Sequence, residues 1–264
     1  MIEIDPTQAS LNLHALFDPR TPDSPRLFSV LEGHHRGQAL ADSATQPTWC
    51  ILREAWFGQT FIGGDMEPHA VSQAIMELRR YGQVVLDRED KHMRFFPSDI
   101  TVEYPRLEFS DRPPSDPRFS ALMHAIPQGC TVRRVDEQSI TRCRWREDLL
   151  DVFGSVERFL SESVGFCLLK DDAILCEAHA FFWGKGKVEI GTITQEQYWG
   201  RGYASLTCAH LIQACEARGA HTYWGCDTDN PASAAVARRL GYRCLTPYTL
   251  VCYEANREHA DISQ

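Results

Sequence analysis

The chain has 264 residues, 43% hydrophobic and 24% charged, with no low-complexity tract. That is enough for one large globular domain or two ordinary ones, and no apolar run approaches the roughly 18 residues of a membrane span. The formal charge of −9 disfavours binding to a phosphate backbone, which depends on Lys and Arg, and favours small cationic partners.

The N-terminus, Met1-Ile2-Glu3-Ile4-Asp5, is acidic and lacks the basic-then-apolar pattern of a signal peptide, so a cytoplasmic protein is expected. His34 and His35 are adjacent, point different ways and read as loop histidines. Thr48–Leu52 and Gln59–Ile62 read as strands around a Gly58 turn, with Gly63-Gly64-Asp65 ending the second. Pro68–Tyr81 carries apolar residues at Val71, Ala74, Ile75 and Leu78, the spacing of one helix face. Gln83–Leu86 follows as a strand. Ser110–Pro117 holds three prolines among Asp and Ser and reads as a loop. Arg118–Ala125 is a short helix, and Ile126-Pro127-Gln128-Gly129 is a second break. The domain boundary is therefore placed here, giving a mixed α/β domain over 1–128 and a second domain over 129–264.

The second half has a clearer rhythm. Thr131–Val135 alternates as a strand, and Ser155 caps a helix. Gly165–Lys170, Ile174–Trp183 and Val188–Thr194 are three strands, joined by turns at Asp171-Asp172 and Gly184–Lys187. A helix over Gly202–Arg218 is ended by Gly219. His221–Asp227 is a strand. Asn230-Pro231 opens a helix over Ala232–Leu240, since Asn suits the N-cap and Pro the first turn. Tyr242–Leu245 and Thr249–Glu254 close the chain as two strands. The expected class is α/β with a mixed sheet whose later half contains a parallel crossover.

Ten cysteines are present without a C-x-x-C or zinc-finger spacing. Several lie in apolar runs, as do Cys167, Cys176 and Cys252, and read as buried free thiols. No metal is expected.

The informative segment is Gln197-Tyr198-Trp199-Gly200-Arg201-Gly202-Tyr203-Ala204, between a strand and a helix. Its glycines let backbone approach a ligand. The helix start offers unpaired N–H groups and a positive dipole end, a site for a pyrophosphate, and Arg201 adds a charge-assisted donor. The segment has neither Gly-Lys-Ser/Thr nor a third Rossmann glycine, so it is no P-loop and no dinucleotide fingerprint.

Gln197-x-x-Gly200-x-Gly202-x-Ala204 resembles the coenzyme-A loop of the GNAT N-acetyltransferase superfamily. Asn230 and Ser233 through Leu240-Gly241-Tyr242 resemble that superfamily's Asn-initiated helix ending in Leu-Gly-Phe/Tyr. The two segments follow in the right order with one strand between them. Glu189–Thr192, Trp224-x-Cys226, Gly37, Asp42, Pro47 and Gly63-Gly64-Asp65 are similar to a bacterial branch called GNAT acetyltransferase, which has an N-terminal α/β extension.

The resemblance implies acetyl-CoA as co-substrate and an amine acceptor that attacks the thioester directly in a ternary complex. It implies a sheet splayed between Val188–Thr194 and His221–Asp227, with pantetheine on the backbone of Ile193 and Thr194. Glu189 is the expected general base and Glu177 the second candidate, a buried carboxylate whose pKa burial would raise. The superfamily's acid, a Tyr seven residues after the Asn, is here Ala237, so either Ser233 or Tyr198 protonates the thiolate, directly or through water, or the thiolate, a tolerable leaving group, departs without an acid. That departure keeps open a non-catalytic acyl-CoA-binding regulator as the alternative. Tyr223, Trp224, Phe181, Phe182 and Trp183 read as core rather than as acceptor pocket. Neither nucleic acid nor membrane is expected as a partner, and the oligomeric state, a homodimer included, is left open.

Overall fold

The computed structural model describes residues 1–7, 13–78, 84–86, 101–112 and 117–253. The chain forms two compact units, Met1–Arg106 with Pro247–Gln264, and Leu107–Thr246. The division therefore falls at Leu107 rather than at residue 128, and the C-terminus returns to the first unit. Two long strands explain the difference, because each contributes its two ends to different units and no loop marks the change. The Pro113–Asp116 part of the expected loop, Arg79–Tyr81, Gln83 and Glu254 lie outside the described residues.

In the first unit, β1 (Ile2–Ile4), β2 (Gly37–Ala41), β3 (Trp49–Glu54) and β4 (Thr60–Gly64) pair antiparallel in sequence, and β5 (Val84–Leu86) adds in parallel to β4. The last strand, Arg243–Tyr253, pairs antiparallel with β5 through Thr249–Val251. β6 (Thr101–Asp111) begins in this unit and extends through Ser110 and Asp111, which the proline-rich pattern had suggested were loop. Helix α1 (Ser24–Leu31) buries Leu27, Phe28 and Leu31 against Phe17, Leu52 and Phe61. Helix α2 (Pro68–Leu78) turns Val71 and Ala74 inward, as its spacing requires. The β3–β4 turn is held from inside: buried Glu54 accepts N–H bonds from Trp56, Phe57 and Gln59 at 2.7, 2.8 and 3.0 Å.

In the second unit, α3 (Pro117–His124) is followed by β7 (Cys130–Arg134), α4 (Arg146–Phe153), α5 (Val156–Glu162), β8 (Gly165–Lys170), β9 (Ala173–Gly184) and β10 (Lys187–Thr194). Then come α6 (Tyr203–Ala217), β11 (His221–Asp227), α7 (Pro231–Arg239) and β12 (Arg243–Tyr253). The strand order β6-β11-β10-β9-β8-β7 is antiparallel from β7 to β10 and parallel between β10 and β11, with α6 as the crossover. Ser155 caps α5, its hydroxyl accepting the Arg158 N–H at 3.1 Å. The two closing strands expected on either side of Thr246-Pro247 are one. Proline's fixed φ and the extended bias of the residue before it suit a strand, so Pro247 removes a donor without breaking the extension. Helices α6 and α7 cover one sheet face: Cys208, Leu211, Ile212, Ala234 and Ala237 pack on Val188 and Ile190. No helix among the described residues is long and apolar enough to cross a membrane.

Candidate active site

β10 pairs with β9 along its whole length, to Thr194 opposite Cys176. Its parallel ladder to β11 is shorter, running from Lys187 opposite His221 only to Glu189 opposite Tyr223. Ile190–Thr194 thus has no partner strand on the β11 side, and the expected splay falls there. Val188 and Ile190 point to the α6–α7 core, so the strand's alternation sends Glu189, Gly191 and Ile193 to the opposite face. Glu189 is part-buried there.

A 3-10 turn, Glu196–Tyr198, leads from β10 to the glycine loop. Gly200 and Gly202 have φ of +73° and +80°, conformations that strain any residue with a Cβ. The first helical bond of α6 is Leu206 N–H to Gly202 O at 3.2 Å. The N–H groups of Tyr203, Ala204 and Ser205 therefore precede the ladder, at the positive end of a 15-residue helix. Arg201 sits 5.6 Å from the Tyr198 ring, and Trp199, 67% exposed, donates its indole N–H to Thr194 O at 2.8 Å. The Thr194 carbonyl is thus engaged within the chain. Exposed Gln197 donates to Gln195 Oε1 at 3.2 Å. A Cβ at Gly202 would lie 3.2 Å from Arg239 Nη1. Arg239, from the last turn of α7, accordingly brings a second cation to the loop, and no local pattern in the sequence marked it.

Asn230 caps α7, its Oδ1 accepting the Ser233 N–H at 2.9 Å. The Ser233 hydroxyl oxygen accepts the Trp224 indole N–H at 2.9 Å, which leaves its own proton to donate. Ala237 is fully buried in the core, so that position supplies packing and no acid. Tyr223, Trp224 and Phe182 are buried, as core residues are.

Glu177 and His179 lie on β9 opposite Ile193 and Gly191. The Glu177 carboxylate accepts the backbone N–H groups of Arg144 and Trp145 at 2.9 and 3.0 Å and faces His179 Nε2 at 3.3 Å. Burial works to raise its pKa, but the His179 contact and the two backbone donors outweigh it and hold the carboxyl below the usual range. The expected raised pKa is thus reversed: a carboxylate that accepts several hydrogen bonds is a weaker base. Burial likewise works to lower His179, but the neighbouring Cys143 sulfur and Glu177 carboxylate raise it to about 9. Asp148 on α4 is raised by burial and by neighbouring Asp151, Glu177 and Glu147, which makes it the more basic carboxyl near this pair.

Cys143, Glu177 and His179 offer metal-ligating atoms within 4.8 Å of one another, a grouping that spacing along the chain does not reveal. Glu177 is occupied by its three hydrogen-bonding partners, and the Cys143 thiol lies 3.8 Å from that of Cys167, which together with burial pushes Cys143 up. Cys143 and Cys167 are both free thiols.

The chain belongs to the GNAT acetyltransferase family, whose model matches residues 15–251. It is 30% identical over 236 residues to the uncharacterized N-acetyltransferase YdfB of Bacillus subtilis, covering 85% of this chain and 88% of that protein. Its fold is similar to that of a GCN5-related N-acetyltransferase-like protein from Streptococcus suis, with a TM-score of 0.73 at 20% identity over 94% of this chain and 99% of that one. A GCN5-related N-acetyltransferase from Sphaerobacter thermophilus aligns with a TM-score of 0.58 at 15% identity over 95% and 94%. The protein is an acetyltransferase with the mixed α/β fold of that family.

Proposed function

We propose that the protein transfers an acetyl group from acetyl-CoA to a primary amine by direct attack in a ternary complex. The observation that carries this reading is the end of the β10–β11 ladder at Glu189 and Tyr223, immediately before the glycine loop and the open N-terminus of α6. The pyrophosphate sits on the N–H groups of 203–205 with Gly200, Gly202, Arg201 and Arg239 around it. Pantetheine runs along the unpaired edge at Ile193 and Thr194, contacting Thr194 through its N–H because the carbonyl is taken. Gln197, Tyr198, Trp199, Tyr203, Ala204, Asn230 and Ser233 complete the cofactor side.

Glu189 takes the proton from the amine, whose nitrogen then attacks the thioester carbonyl. A backbone N–H of the unpaired edge holds the oxyanion. The C–S bond breaks as the carbonyl re-forms; the nitrogen gives up its remaining proton, and the coenzyme-A thiolate takes up a proton relayed through the Ser233 hydroxyl or Tyr198, directly or through water, so that neither side chain is left charged. A small, cationic acceptor agrees with the charge of −9. Calorimetry with acetyl-CoA followed by thiol release across an amine panel tests the reading. Binding without thiol release from any amine would leave the protein as a non-catalytic acyl-CoA regulator.

A further inference from the structure

Two buried side chains on β9 are not used by the transfer step proposed above. Glu177 is 2% exposed and His179 is fully buried. Together they hold the start of α4. The Glu177 carboxylate takes two consecutive backbone N–H groups, those of Arg144 and Trp145, and so fixes the φ and ψ angles that aim the Trp145 side chain. The indole it aims lies on the β9–β10 face next to the splay. A Cβ at Gly191 would meet Trp145 Cζ3 and Cη2 at 3.1 and 3.2 Å and Phe181 Cε2 at 3.0 Å. Gly191 is thus the gap into which the ring is laid. Phe181 meets it edge-on, with ring centroids 5.5 Å apart, and the His179 ring is 6.2 Å behind. Trp145 remains half-buried, as does Ile193 two residues along the same face. Glu189 stands on the other side of Gly191.

We propose that Glu177 is a positioning residue for the acceptor side: it clamps the Arg144–Trp145 backbone so that the Trp145 indole forms a fixed apolar wall beside Glu189, against which the carbon skeleton of an alkyl- or arylalkylamine packs. This rests on the acetyl-transfer reading above. The wall gives an alkyl or aryl body an apolar face to pack on, whereas the additional ammonium centres of a polyamine would be desolvated against a surface that offers a cation–π contact but no carboxylate to pair with them.

The test compares wild type with Glu177→Gln, Trp145→Phe and Trp145→Ala, using 2-phenylethylamine and spermidine as acceptors. Amide exchange is followed at residues 144 and 145, and acetyl-CoA binding by calorimetry. Glu177→Gln keeps one acceptor oxygen but turns an N–H donor toward the other amide. Exchange at 144–145 is expected to quicken at least tenfold and the KM for 2-phenylethylamine to rise about tenfold, with kcat within a factor of about three and acetyl-CoA affinity unchanged. Trp145→Ala is expected to give the same KM rise, Trp145→Phe to recover most of it, and spermidine to be the poorer substrate throughout. Glu177 as the general base predicts the opposite split: kcat falls about a hundredfold, KM holds, and the deficit shrinks at high pH. That outcome overturns the proposal, as does faster exchange at 144–145 with no change in acceptor KM, or spermidine outperforming 2-phenylethylamine. A wild-type protein that binds acetyl-CoA and acetylates no amine refutes the transfer reading itself, and the acceptor role with it, whatever the exchange shows.

Discussion

The buried His179–Glu177 pair is expected to contribute to stability, with a pH dependence of defined sign. Burial opposes the charged form of His179, but the neighbouring Cys143 sulfur and Glu177 carboxylate outweigh it, and the group rises from an ordinary 6.5 to about 9 in the folded protein. The folded state therefore binds a proton that the unfolded chain releases more readily. Stability from this group is fully present below pH 6.5 and is lost as pH rises through about 9. The size of the shift corresponds to about 3 kcal/mol. Glu177 acts at the other end. Its pKa is lowered from 4.5, so its share is present above that value and is lost as pH falls through the folded one. The perturbation is His179→Gln, which keeps an N–H for the Glu177 oxygen and cannot titrate. Urea unfolding of both proteins at pH 6, 7.5 and 9.5 gives the difference free of the other histidines. Wild type should lose roughly 3 kcal/mol relative to His179→Gln across that range, most of it above pH 7. Parallel profiles, within about 0.5 kcal/mol, would show that His179 is neutral in the fold and that no buried ion pair exists.

Three further outcomes follow from the site. Acetyl-CoA should raise the melting temperature of wild type, and Gly202→Asp should abolish the shift. At φ +80° a side chain costs about 1 kcal/mol or more, and the new carboxylate would meet Arg239 and repel the pyrophosphate. Equal binding by the variant would remove the loop from the site. Glu189→Gln should lower turnover about a hundredfold at pH 7 with acetyl-CoA affinity unchanged, and the deficit should narrow as pH rises and the amine loses its proton unaided. Near-normal activity would move attention to Asp148, whose pKa is already raised. Asn230→Ala should cost about 1 kcal/mol in denaturant unfolding, the usual size of a lost N-cap, and no loss would mean the 2.9 Å bond to Ser233 is not the cap.

Elements governed by local chemistry were legible in the sequence. The glycine loop, the α6 start, the Asn230 cap and the Gly184–Lys187 turn depend on residues within a few positions of one another. Strands Gly165–Lys170 and His221–Asp227 have the bounds their patterns suggest. The short α4 was not legible: four of its eight residues, Leu149, Leu150, Val152 and Phe153, are apolar, but two turns are too few for a helical period to stand out. The unit boundary was not legible either: β6 and β12 each read as ordinary extended segments, and nothing in an extended segment shows that its two ends join different cores.

The sequence by itself therefore determined the fold class, the family and the glycine loop that opens α6, since each depends on short-range spacing of glycine, asparagine and alternating apolar residues. Only the tertiary structure decided the electrostatics of Glu177. Burial alone argued for a raised pKa, but backbone donors from Arg144 and Trp145, more than thirty residues away, reversed the sign. It likewise brought Arg239 to the glycine loop and Trp145 over Gly191. A carboxylate's basicity and a pocket's wall are set by whatever the fold packs against them, and a one-dimensional pattern does not contain those neighbours.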